Sequence, residues 1–423
     1  MLKVHQTIPL LILIAFFVTW SGNMFASEPQ QEQVLRRLYG MMELKDTFMT
    51  EKEDRISSIK KMLETPVISE IQQYEISLQL FNEYKTYISD SAIHYAKENI
   101  KLAGRLNDQY RLNESKLNLT SLYIISGLYI ESLDILTRID DEKLSDNLLI
   151  NYYDSYKQLY RNYSFNNPNA SVYIAKSSLY RDSLLNVLNK ESNHYRIVLA
   201  EKLFDENRLT ESKQILEDLI NQSEEENHEK AVLTYALATI YREEGIVDKQ
   251  ITYFAISAIC DIRNAIMENA SMQALAVTLF EIGNIEKAYD CIKSSMEDAM
   301  FCNARLRTYE ISQILPIIDS AYQERVRNQK SELQLFLYLV SLLSLFLIIA
   351  VIYVYRQMKK ITRIRKELYH TNLRLNELNE DLQRTVDQLN DTNKKMSDIN
   401  DELSESNEIK ETYIGHFRQL VVY

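Results

Sequence analysis

Residues Leu335 to Tyr355 read LFLYLVSLLSLFLIIAVIYVY, twenty-one positions with no charged side chain and only Ser341 and Ser344 as polar interruptions. No other feature limits the fold so sharply. A helix of that length rises about 31 Å, close to the ~30 Å hydrocarbon thickness of a bilayer. It would be apolar on every face, whereas a helix packed on one side of a soluble core keeps a polar stripe; a buried core helix is the competing reading. Tyr338, Tyr353 and Tyr355 near its ends suit the interfacial zone where amphipathic rings settle. The sequence thus predicts one transmembrane helix over residues 333–355.

The flanks set its orientation. Arg356, Lys359, Lys360, Arg363, Arg365 and Lys366 follow the run without an acidic residue, whereas Arg325, Arg327 and Lys330 before it are mixed with Glu324 and Glu332. An excess of basic residues marks the cytoplasmic side. The N-terminus agrees independently: Lys3 and His5 precede an apolar stretch from Ile8 to Val18, then polar Ser21 to Asn23 and the small pair Ala26-Ser27, the layout of a secretory signal peptide. Its apolar core of about eleven residues is too short to span a membrane, so cleavage after Ala26 is expected over retention as an anchor. The division that follows is a signal peptide over 1–26, an exported domain over 27–332, the span, a cytoplasmic helix over 356–410 and the start of an output segment over 411–423. In a bacterium this is a single-pass inner-membrane protein with a periplasmic N-terminal domain and a cytoplasmic C-terminus.

The 423 residues include only 7 Gly and 5 Pro, too few for a sheet with many tight turns and suited to long helices joined by short connections. An all-α fold is expected. The net charge is −12, with basic and acidic residues interspersed outside the segment after the span, so no nucleic-acid surface is evident. Cys260, Cys291 and Cys302 form no CxxC pair and read as small buried hydrophobes. An oxidising compartment leaves one bridge, Cys291 to Cys302, as an option.

Within the exported part a helix-pair pattern recurs. In LAVTLFEIGNIEKAYDCIKSS, Leu275, Ala276 and Leu279 share one helical face, Gly283 permits a tight turn, and Ile285, Ala288 and Ile292 line a second helix. Small residues let two helices of a hairpin approach at their crossing. The spacing also fits Leu237, Ala238, Tyr241 and Gly245 followed by Phe254; Leu119, Tyr123 and Gly127 followed by Leu136; and Leu199, Ala200, Leu203 and Asn207 followed by Ser212 and Leu216. Anchors 207, 245 and 283 lie 38 apart, and the 80 residues from 127 to 207 leave room for a degenerate unit around Tyr156 to Leu188. Over roughly residues 70 to 305 these units resemble tetratricopeptide repeats, somewhat longer than the ~34-residue standard; an irregular helical bundle is the alternative. The resemblance implies a superhelix whose concave surface binds an extended peptide or another protein. Tyr152, Tyr153, Tyr156, Tyr160 and Tyr163 read as packing residues at helical spacing, in preference to an aromatic ligand groove.

After the span, Ile361, Leu368, Leu375, Leu382, Leu389, Met396 and Leu403 recur every seven residues, which makes them d positions of a heptad. The a positions hold Arg365, Asn372, Asn379, Val386, Asn393, Asn400 and Asn407. One Asn at a selects a parallel two-stranded pairing at a cost in stability; several make a weak coiled coil, able to shift in register or association when the exported domain binds something. A solvated spacer helix is the other reading.

Catalytic sets are not evident: there is no GxGxxG, GxxxxGK or HExxH, and neither a cofactor nor a metal is expected. His416 follows the coiled coil as a phosphoacceptor histidine follows a sensor-kinase helix, but Phe417, Arg418 and Gln419 replace that family's continuation and seven residues remain. The complete layout, ending in a KxxYIGxF element made by Lys410, Tyr413, Ile414, Gly415 and Phe417, resembles a family of bacterial membrane-anchored tetratricopeptide regulators. That resemblance implies signal transduction without catalysis, linked to transcription. A protein, peptide or glycan-related cue would bind outside and alter a parallel homodimer inside; a non-signalling scaffold for envelope complexes is the alternative. Members continue into a longer output region, so direct nucleic-acid binding by this chain is not implied.

Overall fold

The computed structural model describes residues 30–64, 68–165, 167–223 and 226–420. The signal peptide expected over residues 1–26 lies outside them. The described residues hold fifteen α-helices, one short 3-10 helix and no strand, the all-α architecture that scarce glycine and proline predict. They form two compact units, one ending at Val326 and one starting at Arg327.

The first unit opens with α1 (Gln30–Glu43) and α2 (Lys45–Leu63). Hairpins follow in succession: α3 (Glu70–Tyr84) with α4 (Ser89–Leu106), α5 (Gln109–Ile125) with α6 (Tyr129–Thr137), α7 (Asp146–Ser164) with α8 (Ala170–Val187), α9 (Asn193–Asp205) with α10 (Leu209–Gln222), α11 (His228–Glu243) with α12 (Val247–Arg263), and α13 (Ala270–Glu281) with α14 (Ile285–Cys302). The start of α15 (Arg305–Leu420) completes the unit. The α7/α8 hairpin occupies the stretch where a degenerate unit was expected, and α1 and α2 precede the region where the sequence pattern is visible.

Four hairpin turns are built alike. Gly127, Asn207, Gly245 and Gly283 take left-handed φ values of +76°, +60°, +71° and +79°. Each donates its N–H to the carbonyl three residues back, while the next residue reaches five back, as in Gly283 N to Phe280 O at 2.9 Å and Asn284 N to Leu279 O at 2.9 Å. This double bond satisfies carbonyls the helix end would leave orphaned, and it requires a residue tolerant of positive φ. The same pattern closes α4 at Asn107, α12 at Ala265 and α14 at Asn303, between hairpins. At the crossings, Ala238, Ala276 and Ala288 are fully buried. Serine hydroxyls staple helices further: Ser212 donates to Ala200 O and Ser257 to Ala231 O, each at 2.7 Å.

The ends of the unit meet. Leu35 and Leu38 of α1 and Ile56 of α2 share one core with Phe254, Leu275, Ile292, Ile311 and Ile318, and α1 packs along α12. Polar contacts reinforce the closure: Lys287 to Glu32 at 2.9 Å, Met267 N to Thr86 O at 2.9 Å, Asn303 to Asp90 at 2.8 Å, and the pairs Lys45–Asp298 and Arg37–Glu226.

Cys260, Cys291 and Cys302 are buried free thiols. The optional Cys291–Cys302 bridge is ruled out by geometry: both lie on α14, and eleven helical residues separate them by about 16 Å, well beyond disulfide reach.

The second unit is the remainder of α15. It contains the apolar run, none of it buried against the chain, and α15 is the one described helix long and apolar enough to cross a membrane. Beyond that run Leu368, Leu375, Leu382, Leu389, Met396 and Leu403 are exposed along the helix, with Asn372, Asn379, Val386, Asn393 and Asn400 also exposed between them.

Candidate functional site: a chamber on the inner helices

Residues of the first helices of four hairpins, α5, α7, α11 and α13, line a cavity of about 820 Å³ together with the start of α15. Ile125 and Tyr129 stand at the α5/α6 turn, Tyr163 at the end of α7, Tyr235 and Arg242 on α11, and Gln273, Val277 and Glu281 on α13. Glu268 comes from the loop before α13, and Leu306, Arg307, Tyr309 and Glu310 from the first turns of α15.

Arg307 organises the charged end. One guanidinium nitrogen reaches Glu310 at 2.6 Å and Gln273 at 3.0 Å, and another stands 3.7 Å from the Glu268 carboxylate. Its Nε is buried without a partner. Glu268 accepts no hydrogen bond among the described residues; burial pushes its carboxyl above the usual range, the Arg307 charge opposing this and the Glu310 charge adding to it. Within the lining, the Gln250 amide donates to Thr278 Oγ1 at 2.7 Å, tying α12 to α13. Three carboxylates and two guanidinium groups leave the lining with one negative charge in excess.

Tyr235 is shared with a second pocket of about 300 Å³ between α9, α10 and α11. Its floor is apolar, made by Ile197, Ala200, Phe204, Leu216, Val232 and Ala236. The charged groups at its rim have partners already: Glu201 binds Lys157 at 2.9 Å and Arg161 binds Asp205 at 3.1 Å.

Most of the tyrosines singled out in the sequence pack within the α7/α8 hairpin. Tyr156 stacks on Tyr180 at 4.4 Å, and Tyr160 stacks on Tyr173 and Tyr180 at 6.2 and 5.8 Å. The row ends at Tyr163, which meets Tyr173 edge-on at 4.7 Å and Tyr129 at 5.4 Å, and these last two tyrosines, 163 and 129, face the chamber. The other residues picked from sequence lie elsewhere: Gly127, Asn207, Gly245 and Gly283 in turns, Ala238, Ala276 and Ala288 inside helix crossings, and the heptad residues along α15. None lines the chamber. Its charged residues carry no periodic signal and come from distant segments, so the sequence pattern had nothing to register.

Paired helices joined by a repeated turn, stacked with their first helices lining one face, define a tetratricopeptide array, a class of interaction scaffold. More narrowly, the chain belongs to the family of the SusR N-terminal TPR domain, whose profile matches residues 42–313. No curated protein sequence matches it. Among solved structures, it is similar to the Rap protein complexed with competence and sporulation factor, at 12% identity and TM-score 0.33, covering 70% of this chain and 99% of that one. It is also similar to BtubC (BKLC) from P. vanneervenii, at 14% identity and TM-score 0.22, covering 56% of this chain and 92% of that one.

Proposed function

We propose that the protein is a single-pass membrane receptor: the tetratricopeptide domain, exported to the periplasm, takes a protein or peptide cue in the chamber, and the cue alters a parallel coiled-coil homodimer in the cytoplasm that is linked to transcriptional regulation. One observation carries this reading. Leu306, Arg307, Tyr309 and Glu310, which wall the chamber, sit in the first turns of α15, the helix that also carries the apolar run and the heptad. A ligand that engages Arg307 or packs on Tyr309 therefore acts directly on that helix. Such a ligand shifts an equilibrium only to the extent that it binds one arrangement better.

The test is crosslinking across the seam with single cysteines at Leu375, Leu382 and Leu389 in cell membranes, with and without overexpressed exported domain as competitor. The native thiols do not interfere: burial pushes Cys260 to about 11 and Cys291 to about 12, and raises Cys302, and only thiolates react readily. Symmetric crosslinks that change under competition support the switch. Absent or unchanging crosslinks favour a scaffold that recruits envelope proteins without signalling.

A further inference from the structure

The receptor reading leaves the chemistry of the cue open, and the two adjoining pockets constrain it. Resting on that reading, we propose that the cue is a short peptide carrying a protonated amine next to an aliphatic side chain, the ammonium pairing with Glu268 in the chamber and the side chain filling the apolar pocket beyond Tyr235. Three features meet here. The Glu268 side chain is 22% exposed, so its carboxylate opens to the chamber, and no hydrogen-bond donor among the described residues reaches it; its nearest cation is the Arg307 guanidinium at 3.7 Å, already engaged by Glu310 at 2.6 Å. A carboxylate in that position gains most from a ligand that brings a charged donor. With Glu268 ionised the lining has one formal negative charge in excess, which favours a cationic ligand over an anionic one. Across Tyr235 lies a floor of Ile197, Phe204, Val232 and Ala236 whose rim charges are paired within the protein. Val232 is 44% exposed there, apolar surface that association would remove from water. The two linings share Tyr235, and a peptide presents an amine and an aliphatic side chain at neighbouring positions, one for each pocket; a neutral oligosaccharide carries neither group.

The experiment is affinity selection of a randomised tetrapeptide library by the full chain in detergent micelles, read by mass spectrometry. Libraries with free and with acetylated N-termini are run in parallel, and a panel of neutral oligosaccharides is titrated separately. Enrichment of sequences joining a basic residue or free N-terminus to an aliphatic residue is expected, and acetylation separates the two sources of the ammonium. Glu268→Gln should weaken the selected peptides at least tenfold and erase the basic preference. Val232→Asp should erase the aliphatic preference and keep the basic one. Enrichment of acidic peptides, no enrichment, equal binding by Glu268→Gln, or binding of a neutral oligosaccharide instead would each overturn the inference. The receptor reading fails separately, through seam crosslinks that never respond.

Discussion

Gly283 and Gly104 show what a single position asks of the chain. An added Cβ meets nothing within 4 Å at either, but only Gly283 has a left-handed φ, +79°. Gly283→Ala should therefore cost about 1 kcal/mol through the backbone alone, whereas Gly104→Ala, inside α4, should gain roughly 0.5 kcal/mol; urea denaturation of both variants checks the opposite signs. Ala265 occupies the same region at φ +48° and is 1% exposed. Its buried methyl, worth about 0.8 kcal/mol, offsets a strain of similar size, which is why an alanine there gives no sequence signal while glycines at 127, 245 and 283 do. Asp298 shows a different constraint. Burial pushes its carboxyl up to about 6, the Lys45 ammonium pulling the other way. The folded value lies above the unfolded one, so its contribution is fully present below about pH 4 and is lost as pH rises through 6. Relative to Asp298→Asn, the parent should lose about 3 kcal/mol of stability between pH 3.5 and 7, measured as the difference between their denaturation curves. A difference that stays flat with pH would place the carboxyl in water.

At the scale of elements, the turns were readable and the chamber was not. A left-handed residue every 38 positions at 207, 245 and 283 follows from the backbone demand of the hairpin turn, and alanines at the crossings follow from helix proximity. The heptad of α15 is similarly explicit. On the proposed dimer, Asn379 and Asn393 sit at the seam and weaken it; replacing both by Val should strengthen association by on the order of 1 to 2 kcal/mol, seen by sedimentation of a peptide spanning 356–410. Unchanged association would remove those positions from the interface. Glu268 and Arg307, by contrast, belong to a loop and a helix start, where neither a 3.6-residue nor a seven-residue period marks them. The tyrosine row divides along the same line: helical spacing reads Tyr156, Tyr160 and Tyr163 alike as packing, which describes Tyr156 and Tyr160, whereas Tyr163 packs on Tyr129 and Tyr173 and also lines the chamber, 37% exposed.

The first unit is closed by contacts between its two ends. Leu35 and Leu38 read in sequence as one face of an ordinary amphipathic helix, with no indication of their partner, yet both are buried against helices some two hundred residues away. Leu38→Ala should cost about 2 to 5 kcal/mol and is expected to weaken the whole unit in one transition, because the pair Lys45–Asp298 joins positions 253 apart; calorimetry that resolved a separate early transition for the N-terminal helices would contradict this. An open repeat array has only near-neighbour contacts, and can begin folding anywhere and grow. Here α1 is the first of the described helices to be made and waits for α12. Its apolar face stays uncovered through most of synthesis, the condition under which intermediates aggregate or recruit chaperones. The slow step of folding should therefore be the meeting of the two ends, and a chain halted before Val247 should leave Leu35 and Leu38 of α1 without their α12 partners however many complete hairpins it holds.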